Sequence, residues 1–438
     1  MVLNYIWIAF FLVAFIVACV RFVLEDNFSI FGEMVDGALK MAEFSVMDIA
    51  LPLAGIMIFW MGMMKVAENS GLVNVFAQGM WPIFKHIFPE IPKGHPASGS
   101  IMMNFSANFL GLDNAATPLG IKAMKELQVL NPSKDTASNS QIMFLVLNTS
   151  GLTLIPSSII ALRAANHSAY PTDIFIPILL ATTIATMVAL TAVSLYQRIN
   201  LLKLQFILPV IALLSIMASI VALIIHFSAV NASDIAEYKI LHPDFKGDIN
   251  AAVSSYKMGK YSSFAGAFII LGMLVSFIGY GAYKKINVYD SFIEGAKDGF
   301  GTVIQIIPYL VAMLVAISVF RTSGAMDYII DGIRYLANSI FSRTEFVDAL
   351  PTAMMRPLSG GGSRALMIES WNHFKIDSLQ GHMTSVIQGS TETTFYTIAV
   401  YYGAVGIRNV RHTIHCGLIA DFAGVTAAII LSYLFFAN

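Results

Sequence analysis

The chain has 438 residues, 57% of them hydrophobic and only 12% charged, with a formal net charge of -1. That is about half the charge of an ordinary soluble domain, with more apolar bulk than one water-facing core can use. The near-neutral balance and the lack of a long basic run exclude a nucleic-acid partner, whose phosphates demand clustered Lys and Arg.

In chain order, residues 3–20 form an apolar run followed, not preceded, by Arg21, without the basic start and small-residue cleavage site of a secretory signal; this predicts a retained first span. Residues 174–197, 205–225, 262–283 and 301–320 each reach the roughly 20 apolar residues that cross a bilayer. Residues 46–64, 138–162, 384–407 and 413–437 are also membrane-length but carry a polar or acidic interruption, the kind of span in which transport chemistry sits. Residues 73–88 and 326–341 mix Trp, Tyr and Phe with isolated charges, as suits helices lying at the interface. The mixed-charge segment 231–261 is predicted to be an extramembrane loop dividing the chain into parts 1–230 and 262–438. Arg198 with Lys203 and Lys284 with Lys285 flank the neighbouring spans, so the positive-inside rule puts this loop outside. Cys19 and Cys416 lie in apolar segments far apart and provide no disulfide framework.

The two parts share an order of landmarks. Asp36-Gly37-Ala38, Pro52 and Ser70-Gly71 correspond to Glu294-Gly295-Ala296, Pro308 and Ser323-Gly324, at offsets of 258, 256 and 253. Each copy then runs into a segment broken by Pro and Gly, 95–120 and 351–369, and on to a span with a polar centre. The predicted fold is all-α: a polytopic transmembrane helical bundle with two structural repeats, broken helices and re-entrant hairpins.

The breaks carry the chemistry. Around Asn108, Gly111, Asp113 and Asn114 the chain is too apolar for a solvated loop and too rich in breakers for an unbroken span. Backbone groups freed at membrane depth must line a cavity or bind something. Asp113 or Asn114 is placed to cap a helix resuming at Ala115, where a carboxylate can also hold a cation. In the second part Gly360, Gly361 and Gly362 permit close backbone approach, Ser363 is placed to cap the next helix, and Arg356 and Arg364 bracket the turn, an arrangement suited to an anionic group. The hairpin could equally be a tight tip whose arginines reach lipid phosphates. Downstream lie Asn148, Thr149, Ser150 and Thr153 in one copy and Gln388, Ser390, Thr391, Glu392 and Thr393 in the other. Hydroxyls and amides at mid-span can bind a polar solute or a dehydrated cation, and Glu392 is too costly to leave facing lipid. Helix–helix hydrogen bonding accounts for isolated Ser and Thr but poorly for Glu392. Asp421 is a further intramembrane acid, so Asp113, Glu392 and Asp421 are the ion-coupling candidates, with Glu68, Asn69, His382 and Gln305 behind them. His412 and His415 sit beside Arg408 and Arg411 and read as an interfacial anchor, not a metal site. No Ser-His-Asp or Cys-His spacing suggests an enzyme, and no cofactor is implied.

At these residues the chain resembles a fusion of spore maturation proteins A and B, of the nucleoside-recognition or Gate group. Residues 110–124, LGLDNAATPLGIKAM, resemble the A-type signature, while RPLSGGGSR from Arg356 and QGSTETTFY from Gln388 resemble the B-type. The group is similar, more distantly, to concentrative nucleoside transporters and to the membrane part of ferrous iron transporter B. The resemblance implies a multi-pass protein of the bacterial cytoplasmic membrane. Its partners would be the lipid bilayer, a small polar solute such as a nucleoside or amino acid, and sodium or a proton; a homodimer is a further expectation. The leading expectation is a secondary transporter; the alternative is a non-transporting scaffold in envelope or spore maturation.

Overall fold

The computed structural model describes residues 2–72, 75, 78, 84–109, 113–153, 156–241 and 249–437. Among them every named element is a helix, and pairing of extended backbone is confined to an isolated bridge between Thr136 and Asn409. The protein is a multi-pass helical membrane protein: five helices of the described residues are long and apolar enough to cross a bilayer, six if a bent pair counts as one span.

Helix α1 (Val2–Leu24) is followed by α2 (Ile30–Phe44), which a π-helical turn, Ser45–Ala50, joins to α3 (Leu51–Asn69). The interruption predicted in 46–64 therefore widens a continuous helix instead of breaking it. Pro52 lacks an N–H and would crowd the carbonyl four residues back, at Asp48, and the wider turn lies at that carbonyl. Most of the interfacial stretch 73–88 lies outside the described residues; 84–87 are helical. Helices α4 (Pro96–Phe109) and α5 (Asp113–Leu130) form a first hairpin, followed by α6 (Asn139–Ser150), α7 (Ser157–Ala165), the 23-residue α8 (Phe175–Gln197) and α9 (Leu204–Phe227). At 1.5 Å per residue α8 is about 34 Å long, enough to span.

The segment expected to be a loop is largely helical. It contains α10 (Ala232–Leu241) and the first turns of α11 (Ile249–Tyr283), with Lys257 Nζ bonding Asp234 Oδ2 at 2.7 Å and Ala229 O at 2.6 Å. Charge made these residues look unstructured, but ion pairing allows a spanning helix to continue into water. Helix α12 (Val288–Thr322) contains the predicted span 301–320, and after Ser323-Gly324 the chain bends by 70° into α13 (Ala325–Asn338). Helix α13 buries Met326, Ile330 and Ala337 and exposes Tyr328, Tyr335 and Leu336, the two-faced character predicted for an interfacial helix. A second hairpin, α14 (Leu350–Met355) and α15 (Gly360–Phe374), leads to α16 (Leu379–Ser390), α17 (Thr394–Gly403) and α18 (Thr413–Phe436).

The long helices of the two parts run antiparallel. Gly37 of α2 lies beside Ser318 and Thr322 near the end of α12, whereas Asn69 at the end of α3 bonds Ser291 Oγ (3.1 Å) near its start. Between them Gly295 and Gly299 lie directly on the α3 backbone at Met61 and Met57, where any Cβ would collide. Helix α1 runs parallel to α12, from Trp7 Nε1 on Ala312 O (3.0 Å) to Arg21 Nη1 on Ser323 O (3.3 Å).

Two apolar clusters fill the bundle. One takes residues from α3, α7, α12, α15 and α16, the other from α4, α5, α6 and α17. Each interrupted segment, α6–α7 and α16–α17, thus contributes one arm to each cluster. Its polar break falls at the boundary between them.

Candidate functional site

Helix α6 starts with a capping box, Ser138 accepting from Gln141 N while the Gln141 side chain accepts from Ser138 N, and stops at Gly151, whose φ of 56° is left-handed. Proline 156, with no N–H to continue a ladder, precedes α7. Helix α16 starts in the same way, Ser378 accepting from Gly381 N, and stops where Thr391 becomes extended (φ -148°). The two breaks cross. Glu392 N donates to Thr149 O at 2.8 Å, and a Cβ on Gly151 would stand 3.0 Å from Glu392 Cγ. One helix end thereby satisfies a backbone group of the other, which neither could do alone inside a bilayer.

The tip of the second hairpin docks on the same crossing. Phe395 N donates to Pro357 O at 3.0 Å, and Gly360 leaves room for Thr393 Oγ1, which a Cβ would approach to 2.8 Å. The N-cap of α15 is Ser359, which accepts from Gly362 N at 3.0 Å. Ser363 therefore does not cap the helix: the glycines themselves form its first turn, because the extended backbone at Ser359 comes four residues earlier than expected. Ser363 Oγ instead lies 2.6 Å from Gln388 Oε1 and 2.9 Å from Thr352 O. Gly362 packs on Met355 and Met313, whereas Gly361 faces open space. Buried Arg356 donates to Thr391 O and stands 3.7 Å from the half-exposed carboxylate of Glu392.

Asp421 enters from α18, which Gly424 brings against Thr391 and against Ala185 of α8. Thr394 Oγ1 donates to Asp421 Oδ2 at 2.7 Å. Thr391 is close enough to interact with the carboxyl, yet neither Asp421 Oδ1 nor Thr391 Oγ1, both buried, has a hydrogen bond of good geometry. These two buried oxygens face one place, where a turn of the Thr391 hydroxyl can bring donor to acceptor or a bound polar group can take both.

The hydroxyls of the cluster, expected to bind a polar solute or a dehydrated cation, bond their own backbone. Thr149 bonds Val146 O (2.9 Å), Ser150 bonds Leu147 O (3.0 Å), Thr153 bonds Gly151 O (2.8 Å) and Ser390 bonds Ile387 O (2.8 Å). Their hydrogens are spent on their own backbone, which leaves oxygen lone pairs to offer. In the first part Asn108 Nδ2 donates to Asn148 Oδ1 at 2.8 Å, tying the first hairpin to α6. Asn104, which was not among the expected site residues, accepts from Asn108 Nδ2 at 3.4 Å and donates to Ala116 O at 2.7 Å. Helix α5 begins at Asp113, two residues before the predicted start; the side chains of Asp113 and Asn114, and Gly111 altogether, lie outside the described residues, as does the side chain of Gln305. Glu68 pairs with Lys65 (3.2 Å) and Asn69 with Ser291, at the far end of α3, away from the crossing. His412 stacks on Tyr196, with ring centroids 4.6 Å apart. Among the described residues no three His, Cys, Asp or Glu side chains are placed to hold a metal ion.

Sequence comparison adds to this geometry. The chain is 42% identical over 182 residues to spore maturation protein A of Bacillus subtilis (strain 168), a stretch covering 42% of this chain and 89% of that protein. It is 44% identical over 170 residues to spore maturation protein B of the same organism, covering 39% of this chain and 92% of that one. No solved structure matches significantly. The Gate family model, described as nucleoside recognition, matches residues 50–166 and 303–408, which include both hairpins and both breaks. With more than half its length matched and A-like and B-like stretches in one polypeptide, this multi-pass protein of the cell membrane belongs to the Gate, or nucleoside-recognition, family.

Proposed function

We propose that the chain is a secondary transporter of a small polar solute, with nucleosides first and amino acids second among the solutes to test, coupled to a proton or sodium. The observation that carries this reading is the crossing itself: two interrupted helices stitched by Glu392 N on Thr149 O, with the unsatisfied Asp421 Oδ1 and Thr391 Oγ1 and the Arg356–Glu392 pair around it. In this reading Asn108, Asn148, Ser363 and Gln388 receive the solute. Lone pairs from Thr149, Ser150, Thr153, Ser390 and Thr393 complete its shell, and Glu392 and Asp421, with Asp113, carry the coupling charge.

The parts 1–230 and 262–438 are, in the same reading, two inverted repeats. Supporting this are the antiparallel run of α2–α3 against α12 and the mirrored contacts of Gly37 and Gly295. The family match likewise falls in two stretches. No catalytic role is proposed.

The test is a thermal-shift screen of detergent-purified protein against nucleosides, amino acids and sodium, repeated with Glu392→Gln and Asp421→Asn. A ligand that binds only the folded state at about 100 times its Kd stabilises by about 2.7 kcal/mol. One solute class should stabilise the wild type, and either variant should weaken or abolish that gain while still folding. If no class shifts the wild type, transport yields to the alternative of a non-transporting membrane scaffold.

A further inference from the structure

Away from the crossing, a charge cluster joins α7 to the start of α16. Arg163 is 0% exposed, which an arginine tolerates only when paired. Its guanidinium reaches Asp377 Oδ1 (2.9 Å), Ser168 Oγ (2.9 Å), Asp173 Oδ1 (3.2 Å), Ser385 Oγ (3.3 Å) and Ile376 O (3.1 Å). Asp377 also accepts from Ser168 Oγ (2.6 Å) and Ala169 N (2.8 Å). His382 completes the set: Nδ1 lies 2.8 Å from Ser378 O, Nε2 lies 2.7 Å from Asp173 Oδ2, and the ring stacks on Phe436.

The protons in this cluster can be placed by elimination. A carbonyl oxygen only accepts, so Nδ1 carries a hydrogen. Burial alone would raise the pKa of Asp173, but His382 and Arg163 outweigh it and hold its carboxyl below the ordinary carboxylate range. Arg163 Nη2, 3.2 Å from Asp173 Oδ1, favours the ionised carboxylate, and the 2.7 Å contact of Oδ2 with Nε2 needs one hydrogen between the two atoms, which an ionised Asp173 leaves on the ring. Arg163 Nη2 lies 3.2 Å from the same nitrogen, but its two hydrogens have nearer acceptors in Ser168 and Asp377.

With that hydrogen on the ring, two cations balance two carboxylates. The other elements packed on α16 bring no competing charge within hydrogen-bond reach of the ring. Glu369 is held by Arg321 and His373 sits in the field of the same arginine, Asp348 by Arg334 and Gln380, and Tyr433 by Glu345. Removing the histidine proton would leave an unbalanced buried carboxylate with a lone pair 2.7 Å from it.

We propose that His382 and Asp173, backed by Arg163 and Asp377, are a proton-binding latch that fastens residues 163–173 to residues 376–385, and that loss of the proton opens this end of the crossing. Asp377, 36% exposed, gives the proton its route to water. The latch does not depend on what the crossing binds.

Hydrogen exchange in peptides covering 166–174 and 375–382 tests it on the full chain in detergent, from about pH 6 to about pH 9, with rates corrected for the intrinsic pH dependence. Protection of both segments in the wild type should fall together, on the order of tenfold or more, as pH rises. In Asp173→Asn the amide can donate to a neutral Nε2, so protection should become independent of pH. Unchanged wild-type protection across the range, or a pH dependence that survives in Asp173→Asn, overturns the proposal. Should that variant fail to fold, 15N-histidine NMR of the wild type decides: a cationic His382 ring at neutral pH supports the latch and a neutral one sinks it.

Discussion

The crossing is closed at its two ends by different chemistry. At one end Ala137 N donates to Asn409 O (3.0 Å), while Arg408 N (2.8 Å) and Asn409 N (2.9 Å) both donate to Asp135 O, so main chain meets main chain. Arg411 adds only an outer brace, to Ala137 O (3.1 Å) and Asn139 Oδ1 (3.0 Å). At the other end buried side chains hold the same two parts together through Arg163, Asp173, Asp377 and His382. Backbone hydrogen bonds are made from groups every sequence has and respond to nothing; a buried charge cluster is specific, costly to break and sensitive to a single proton.

Removing a side chain should therefore matter far more at the charged end. Arg163→Ala leaves Asp173 and Asp377 without their cation and should cost about 3–5 kcal/mol, read as a large fall in the midpoint of unfolding in mild detergent. Between the ends, Gly151→Ala puts an L side chain at φ 56° with Glu392 Cγ in its way, and should cost about 1–3 kcal/mol and weaken ligand stabilisation alongside it. Arg411→Ala at the main-chain end should cost about 1 kcal/mol or less, because its bonds are exposed or only part-buried and the backbone pairing stays. A loss at Arg411 as large as at Arg163 would erase the contrast.

The smallest effect serves as a control outside the bundle. Hydrogen bonding from Lys257 and from Asn231 N lowers the pKa of half-buried Asp234. An acid with a depressed folded pKa contributes fully above its unfolded value of about 3.9 and loses the contribution as pH falls through the folded one. Lys257→Met should consequently alter unfolding slightly near neutral pH and less in strong acid, where only its bond to Ala229 O is left to lose, without touching the exchange behaviour of residues 166–174.

Hydropathy and breakers made the spans, the bent segment after Ser323 and the two interrupted helices legible, because each rests on local chain properties. Glu392, Asp421, Asn108 and Asn148 were legible as polar residues too costly to leave in lipid. What stayed hidden depends on distant partners. Arg163 reads as the basic last turn of a short helix, and its acids lie 10 and 214 residues away, where each looks like a boundary residue. The sequence points to a cap at Ser363, and only the backbone shows it at Ser359. Segment 231–261 looked like a loop because a helix stabilised by surface ion pairs has little apolar periodicity to betray it.

Helix α9 exposes Leu204, Leu208, Ile211, Ile216, Leu223 and Phe227 and buries little beyond Met217 and Ile224. As a packing element it is nearly dispensable, yet on the two-part reading it decides handedness of insertion. A part that crosses the bilayer an even number of times returns the chain to the face where it began, and a second part would then enter the same way up. One additional pass flips it, which is what the antiparallel run of α3 against α12 requires. On that reading a single apolar helix would write the opposition into one chain.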